Sequence, residues 1–300
     1  YQPAVDVLRE RVILVTGAGD GLGRAAALAF AQHGATVILL GKTTRKLEQV
    51  YDEILAAGGP EPSIAVLDLA RAHGPDYAQL AEQIGSSWGR LDGLLHNAAV
   101  LGQRAPIEHY DIGVWHQVMH LDLNVPFILT QTLLPLLRKS ADPAVVFTSS
   151  SVGRQGRAYW GAYSVAKAGI ENLSQVLADE NQGRIRANSI NPGACRTRMR
   201  REAYPGEDPE TRPEPASLMR PYLYLIGPAS QGVTGQSIDC QWSVLFVFTA
   251  QPGRDIQAVE LRLLQQAMLP GAQGARQADW SVAHADQATD TAVNSRPDPP

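Results

Sequence analysis

The chain has 300 residues, room for one large α/β domain or two small ones, and ample length to bury a core. With 44% hydrophobic and 19% charged residues and a formal net charge of −4, it has an ordinary globular balance. There is no basic excess to suggest a nucleic-acid partner and no acidic block to suggest a solvating tail. Two cysteines, Cys195 and Cys240, are too few for a disulfide framework and point to a reducing cytoplasm. The start, Tyr1-Gln2-Pro3, lacks the basic and apolar segments of a secretory signal, and the longest uncharged apolar stretch, residues 242–250, is too short to span a membrane. A cytoplasmic protein with no membrane partner is expected.

Strand and helix patterns alternate from the start. Residues 11–16 (RVILVT) are a β-branched run of the kind buried on both faces of a sheet. A glycine-rich turn and an alanine-rich helix over 23–33 follow, closed by Gly34. Strands are predicted at 36–40, 64–67 and 91–96, with helices over 46–57 and 77–88 between them. A long helix is predicted over 115–138, with Pro126 inside it kinking it or loosening one turn. Then come a strand at 144–148, a helix over 163–179, a strand at 185–190, a helix over 215–226 and a seventh strand at 236–240. Repeated β-α units imply a doubly wound parallel seven-stranded sheet with helices on both faces. Residues 1–240 read as one nucleotide-binding catalytic domain and 241–300 as a C-terminal extension. In the extension, 256–268 has helical periodicity and 271–300 the composition of a disordered tail.

The first strand runs into Thr16-Gly17-Ala18-Gly19-Asp20-Gly21-Leu22-Gly23, and a helix begins there. Glycines permit a tight turn and a close backbone approach to a pyrophosphate, and the helix N-terminus offers free N–H groups to it. A glycine trio alone is weak evidence. Its place between the first strand and the first helix of a β-α-β unit strengthens it. A carboxylate at the end of the second strand would favour NAD(H) by binding ribose hydroxyls. Here the sequence is Gly41-Lys42-Thr43-Thr44-Arg45, and Lys42 facing a 2′-phosphate favours NADP(H), with Asp20 pulling mildly the other way.

Thirteen residues after Ser150 stands Tyr163, followed four residues later by Lys167. Positions i and i+4 share one helical face, and a nearby ammonium favours the phenolate of a tyrosine whose ordinary pKa is near 10. Tyr163 is therefore a candidate general acid/base. Ser150, at the C-terminal end of a strand, is placed to hydrogen-bond a substrate carbonyl. A Tyr–Lys pair four apart is common on helix surfaces, so the pair gains weight only with the serine and the glycine turn. No metal site is expected.

Thr-Gly-x3-Gly-x-Gly, Asn97-Ala98-Ala99, Ser150, Tyr163-x3-Lys167 and Asn191-Pro192-Gly193 occur in the order seen in short-chain dehydrogenases/reductases, and the chain resembles that family over about residues 8–240. Within it, FTSSSVGRQGRAYWGAYSVAK and INPGACRTRMR resemble the bacterial YciK-type oxidoreductases. The resemblance implies a Rossmann-like fold and hydride transfer between NADP(H) and a small-molecule carbonyl or alcohol substrate. It puts Gly17, Gly21 and Gly23, with Asp20 and Leu22 between them, at the cofactor phosphates. Asp68 and Leu69 would lie beside the adenine, and Asn97, Ala98 and Ala99 beside the cofactor. Lys167 would reach the nicotinamide ribose, and Pro192, Gly193 and Thr197 the nicotinamide side. It also implies a homodimer or homotetramer paired through the long helices.

The chain departs from the family pattern at Asp122, which stands where an asparagine is common in the long helix. That asparagine belongs to a water relay through the lysine. An aspartate accepts hydrogen bonds there but has no amide donor, so Asp122 joins Ser150, Tyr163 and Lys167 among the candidate catalytic residues. Ala99 replaces a usual glycine. The loop over 196–215 should form a lid. Its five arginines suggest an anionic substrate, but nearby acids balance them. Tyr159, Trp160 and the Arg154 region should line the substrate wall. Two other readings share the pattern: a nucleotide-sugar epimerase or dehydratase, and a nucleotide-binding regulator without turnover.

Overall fold

Seven short runs of branched and small apolar residues pair into one parallel sheet. A computed structural model describes residues 1–182 and 184–241 of the chain. The strands are β1 (Val12–Thr16), β2 (Thr36–Gly41), β3 (Ser63–Val66), β4 (Gly93–His96), β5 (Ala144–Thr148), β6 (Arg186–Asn191) and β7 (Ser237–Asp239). They lie in the order β3-β2-β1-β4-β5-β6-β7. Ile13 is paired with Val37 of β2 on one side and Gly93 of β4 on the other. The winding therefore reverses between β1 and β4, which opens a crevice beyond their C-terminal ends, where ligands settle in open α/β sheets.

Alternate residues of each strand enter opposite cores. Ile13, Val15, Val37 and Leu39 pack with helices α1 (Gly21–Gln32), α2 (Thr44–Ala56) and α9 (Met219–Ile226). Leu14, Ile38, Leu40, Val145 and Phe147 pack with α3 (Gly74–Trp88), α5 (Val125–Leu137) and α7 (Gly161–Asn181). The two layers are the doubly wound α/β arrangement expected from the alternation, and they hold the crevice rigidly at one rim.

Boundaries differ from the sequence reading where caps decide them. Helix α1 begins at Gly21 rather than 23, because the Asp20 carboxylate accepts from the Gly21 N–H at 2.8 Å. The predicted helix over 115–138 is interrupted. Helix α4 (Ile112–Met119) passes into a π turn over His120–Asn124 before α5 begins. The Val125 N–H bonds the His120 carbonyl, five residues back. Pro126 follows at once and has no N–H to give to the Asp122 carbonyl, so the α ladder cannot run through this point. The loosened turn expected at Pro126 is this π turn. Periodicity does not foresee two short helices, α6 (Ser151–Arg154) and α8 (Arg198–Ala203), and the helix predicted from 215 opens as a 3₁₀ turn, Pro215–Leu218.

Among the described residues no helix is long and apolar enough to cross a membrane. The segments singled out in the extension, 242–250, 256–268 and 271–300, lie outside the described residues.

Candidate active site

A cleft of roughly 580 Å³ opens at the crevice between β1 and β4. Its floor is the glycine turn. Gly17 and Gly21 have φ of +68° and +53°, the left-handed region that side chains avoid. The turn therefore presents bare backbone and the N-terminus of α1 to the cleft, a surface suited to phosphate. Gly23, expected at the phosphates, does not line the cleft. A Cβ there would lie 2.2 Å from the Gly17 carbonyl oxygen and 2.6 Å from Asn97 Nδ2, so this glycine lets helix and turn pack closely. Asp20, the cap of α1, also pairs with Lys46, whose hydrogen bond holds its carboxyl below the usual range.

Lys42 is exposed at the end of β2, and Lys46 lines the same region of the cleft. Sequence reasoning gives Lys46 no role beyond that of an ordinary helix residue. The turn into α2 brings it across to Gly19, where a Cβ would meet the Lys46 Cβ at 2.9 Å. Leu22, Asp68, Leu69, Asn97, Ala98 and Ala99 all line the cleft. Thr16, also missed as a site residue, ties β1 to β4: its Oγ1 accepts from the N–H groups of Asn97 at 2.9 Å and Ala98 at 3.0 Å. At the far end, Gly193 turns with φ +73°, and its N–H donates to Asn191 Oδ1 at 3.0 Å. The Thr197 hydroxyl caps α8 by accepting from the Arg200 N–H at 3.2 Å. Pro192, Gly193 and Thr197 all reach the cleft.

Ser150, Tyr163 and Lys167 converge on one wall. Tyr163 is 8% exposed and packs against Trp160, with ring centroids 5.8 Å apart. Burial first, then the Asp122 charge, pushes its phenol above the ordinary tyrosine value, and a hydrogen bond with Ser150 pulls the other way. Lys167 Nζ lies 5.5 Å from the Tyr163 ring centroid and donates to the Thr148 carbonyl at 3.0 Å. Burial lowers its pKa, and Asp122 opposes that shift.

Asp122 is not on the cleft wall. It sits in the π turn, 1% exposed, with Oδ2 3.8 Å from Lys167 Nζ. Its Oδ1 accepts from the Val100 N–H at 2.9 Å. Burial raises this carboxyl to about 6, against the pull of Lys167. The candidate catalytic set is thus three residues facing the cleft and one behind them.

Beyond the Ser-Tyr-Lys wall the cleft is lined by Leu101, Leu121, Val152, Trp160, Met199 and Tyr204, with Arg157, Arg198 and Arg200 among them. Tyr159 and the Arg154 side chain are not part of it, whereas Ser151, Val152 and Arg157 on either side of Arg154 are. Tyr159 is 55% exposed, and Arg154 is drawn to Asp239 at 2.6 Å and Glu171 at 3.4 Å. The lid arginines are largely neutralised locally. Arg196 pairs with Glu210 and Glu214, Arg198 with Glu202, and Arg200 and Arg212 with Glu207. The hydrogen bonds from Arg200 and Arg212 hold the Glu207 carboxyl down to about 2. These pairs balance four of the lid's five arginines, Arg201 being the fifth, and weaken the reading of the lid as an anion trap.

The family model described as short chain dehydrogenase matches residues 11–208. The chain is 50% identical over 254 residues to the uncharacterized oxidoreductase YciK of Escherichia coli K12, covering 85% of this chain and 97% of that protein. A putative short chain dehydrogenase from Pseudomonas syringae superposes with a TM-score of 0.79 at 52% identity, over 80% of this chain and 98% of that one. A short chain dehydrogenase from Shigella flexneri 2a, solved in complex with NADP, superposes with a TM-score of 0.78 at 50% identity, over 80% of this chain and all of that one. The glycine turn, the Ser-Tyr-Lys wall and these matches agree, and the chain belongs to the short-chain dehydrogenase/reductase family of oxidoreductases, among its YciK-like members.

Proposed function

We propose that the protein transfers hydride between NADP(H) and a carbonyl or alcohol substrate, with Tyr163 as the general acid/base. The observation that carries this reading is the wall itself: a buried tyrosine opens onto a dinucleotide-sized cleft, with Ser150 beside its hydroxyl and the Lys167 ammonium one helical turn away. The bare turn at Gly17 and Gly21 fits a pyrophosphate, since any Cβ there would be strained. Two relatives point the same way: the Shigella protein was solved with NADP and another, from E. coli CFT073, with NADPH.

When bound, the nicotinamide supplies or accepts the hydride. Gly17, Asp20, Gly21 and Leu22 would cradle the phosphates, and Asp68 and Leu69 would flank the adenine. Asn97, Ala98 and Ala99 would lie alongside, and Pro192, Gly193 and Thr197 would hold the nicotinamide side. Ser150 donates a hydrogen bond to the substrate oxygen. Tyr163 gives its phenolic proton to that oxygen as the carbonyl carbon becomes a carbinol, and recovers a proton in the reverse direction. Lys167 holds the ribose and its charge eases loss of the phenolic proton. The apolar side chains from Leu101 to Tyr204 suit an uncharged organic substrate body. The convergence of Ser150, Tyr163 and Lys167 supports turnover over a regulator that only binds nucleotide.

Asp20 is neutralised by Lys46, and Lys42 is exposed on the same side, so two lysines face the adenosine end. NADPH should therefore bind at least about tenfold tighter than NADH, since hydrogen bonds to charged groups contribute roughly 1.5–3 kcal/mol. The double substitution Lys42→Ala, Lys46→Ala should erase the difference in a fluorescence titration of either nucleotide. Equal affinities in the unsubstituted protein would remove the NADP(H) reading.

Two free cysteines support a reducing, cytoplasmic setting. Exposed Phe127 on α5 and Val165 and Val176 on α7 suit a homodimer or homotetramer. Light scattering that finds only monomer would overturn that assembly.

A further inference from the structure

Asp122 lies directly behind the reacting wall, and its surroundings give it one charged partner among the described residues. The Val100 N–H satisfies Oδ1, while Oδ2 has no hydrogen bond and faces Lys167 at 3.8 Å. An amide at this position would leave the ammonium unopposed. A carboxylate instead places a negative charge directly behind it. Seen from the Tyr163 ring, whose centroid lies 5.5 Å from Nζ, the pair is a charge with its counter-charge close by, and part of the field that would favour phenolate is offset.

The other groups around Tyr163 do not restore it. Ser150 at the end of β5 favours the phenolate, but Cys195 after β6 opposes it. Tyr222 of α9 is a buried phenol raised well above its ordinary value and stays neutral. His96 at the end of β4 is pushed down to about 3 by burial and by Lys167, so it adds no positive charge near neutral pH. Asp122 titrates near 6, so it is ionised throughout the alkaline range in which a tyrosine loses its proton.

We propose that Asp122 is a tuning residue whose carboxylate offsets the Lys167 charge felt by Tyr163, so that the site holds Tyr163 as the phenol that carbonyl reduction uses, and the phenolate that alcohol oxidation uses forms only in strongly alkaline solution. The consequence for catalysis rests on the hydride-transfer reading above, but the electrostatic effect on Tyr163 does not.

The test separates the two. Alkaline titration of phenolate absorbance near 295 nm, taken as wild type minus Tyr163→Phe, isolates the Tyr163 ionisation without any substrate. Its midpoint is expected above the value of about 10 for a free tyrosine. In the Asp122→Asn background, against Asp122→Asn with Tyr163→Phe, the midpoint should fall by about one pH unit or more. The pH at which kcat/KM for alcohol oxidation reaches half its maximum should fall by the same amount. A wild-type midpoint below 10, or midpoints that coincide in the two backgrounds, overturns the inference, and the first of these needs no variant of Asp122. A shifted titration without turnover in either direction would uphold the inference and count against hydride transfer.

Discussion

Tyr163→Phe is expected to leave the fold and NADPH binding intact and to lower kcat/KM for carbonyl reduction by about a hundred- to ten-thousand-fold. The ring keeps its packing against Trp160, and only the hydroxyl proposed to donate the proton is removed. The loss should fall on kcat rather than KM, since the interaction removed is made in the transition state. Steady-state kinetics at saturating NADPH decide it. Activity within tenfold of wild type would show that another group, or water, supplies the proton.

Lys167→Met should have the second large effect, on activity and on stability at once. Turnover should drop toward the level of Tyr163→Phe, because the ammonium proposed to hold the ribose and to ease loss of the phenolic proton is gone. Stability should also become pH-dependent in a defined direction. Asp122 would be left buried and unpaired, so its folded pKa, already raised to about 6 beside Lys167, would rise further from an unfolded value of about 3.9. A raised folded pKa means that the folded state binds the proton more tightly. The stability this provides is complete below about pH 4 and lost as pH climbs through the folded value. From about pH 4 to above pH 6, Lys167→Met should lose on the order of 3 kcal/mol relative to Lys167→Met with Asp122→Asn, because each tenfold difference in proton affinity between folded and unfolded chains is worth about 1.4 kcal/mol. Denaturant unfolding at several pH values measures it. Parallel pH profiles for the two proteins would show that Asp122 ionises as readily in the fold as in the unfolded chain.

The alternation of β-branched runs and amphipathic stretches was enough to place all seven strands, because a parallel sheet buried on both faces needs continuous apolar runs that few other structures use. The position of the glycine turn, and the spacing of Ser150, Tyr163 and Lys167, made the cleft and its reacting wall readable from the chain alone. What escaped depended on contacts between distant segments. Lys46 looks like any charge at a helix start until the fold carries it to Asp20 and Gly19. Gly23 shares the motif of its neighbours, and only the approach of Asn97 shows that it packs behind the turn. Asp122 stands out as a departure, yet its depth behind Lys167 follows from a π turn. That turn needs Pro126 and the His120–Val125 bond together, and periodicity sees neither. Which acids hold Arg154 and the lid arginines was not readable, because the partners, among them Glu171, Glu207 and Asp239, come from other elements or from further along the lid.

The central claim is that hydride passes between a nicotinamide and a carbonyl carbon on a wall where Tyr163 moves the proton. NADPH deuterated at C4 should be incubated with the protein and a panel of uncharged ketones, aldehydes and diketones, and the products analysed by mass spectrometry and NMR. Deuterium on the carbinol carbon of at least one product, absent with Tyr163→Phe, is the predicted result. Tight NADPH binding with no deuterated carbinol from any member of the panel, or the same transfer with Tyr163→Phe, would contradict it.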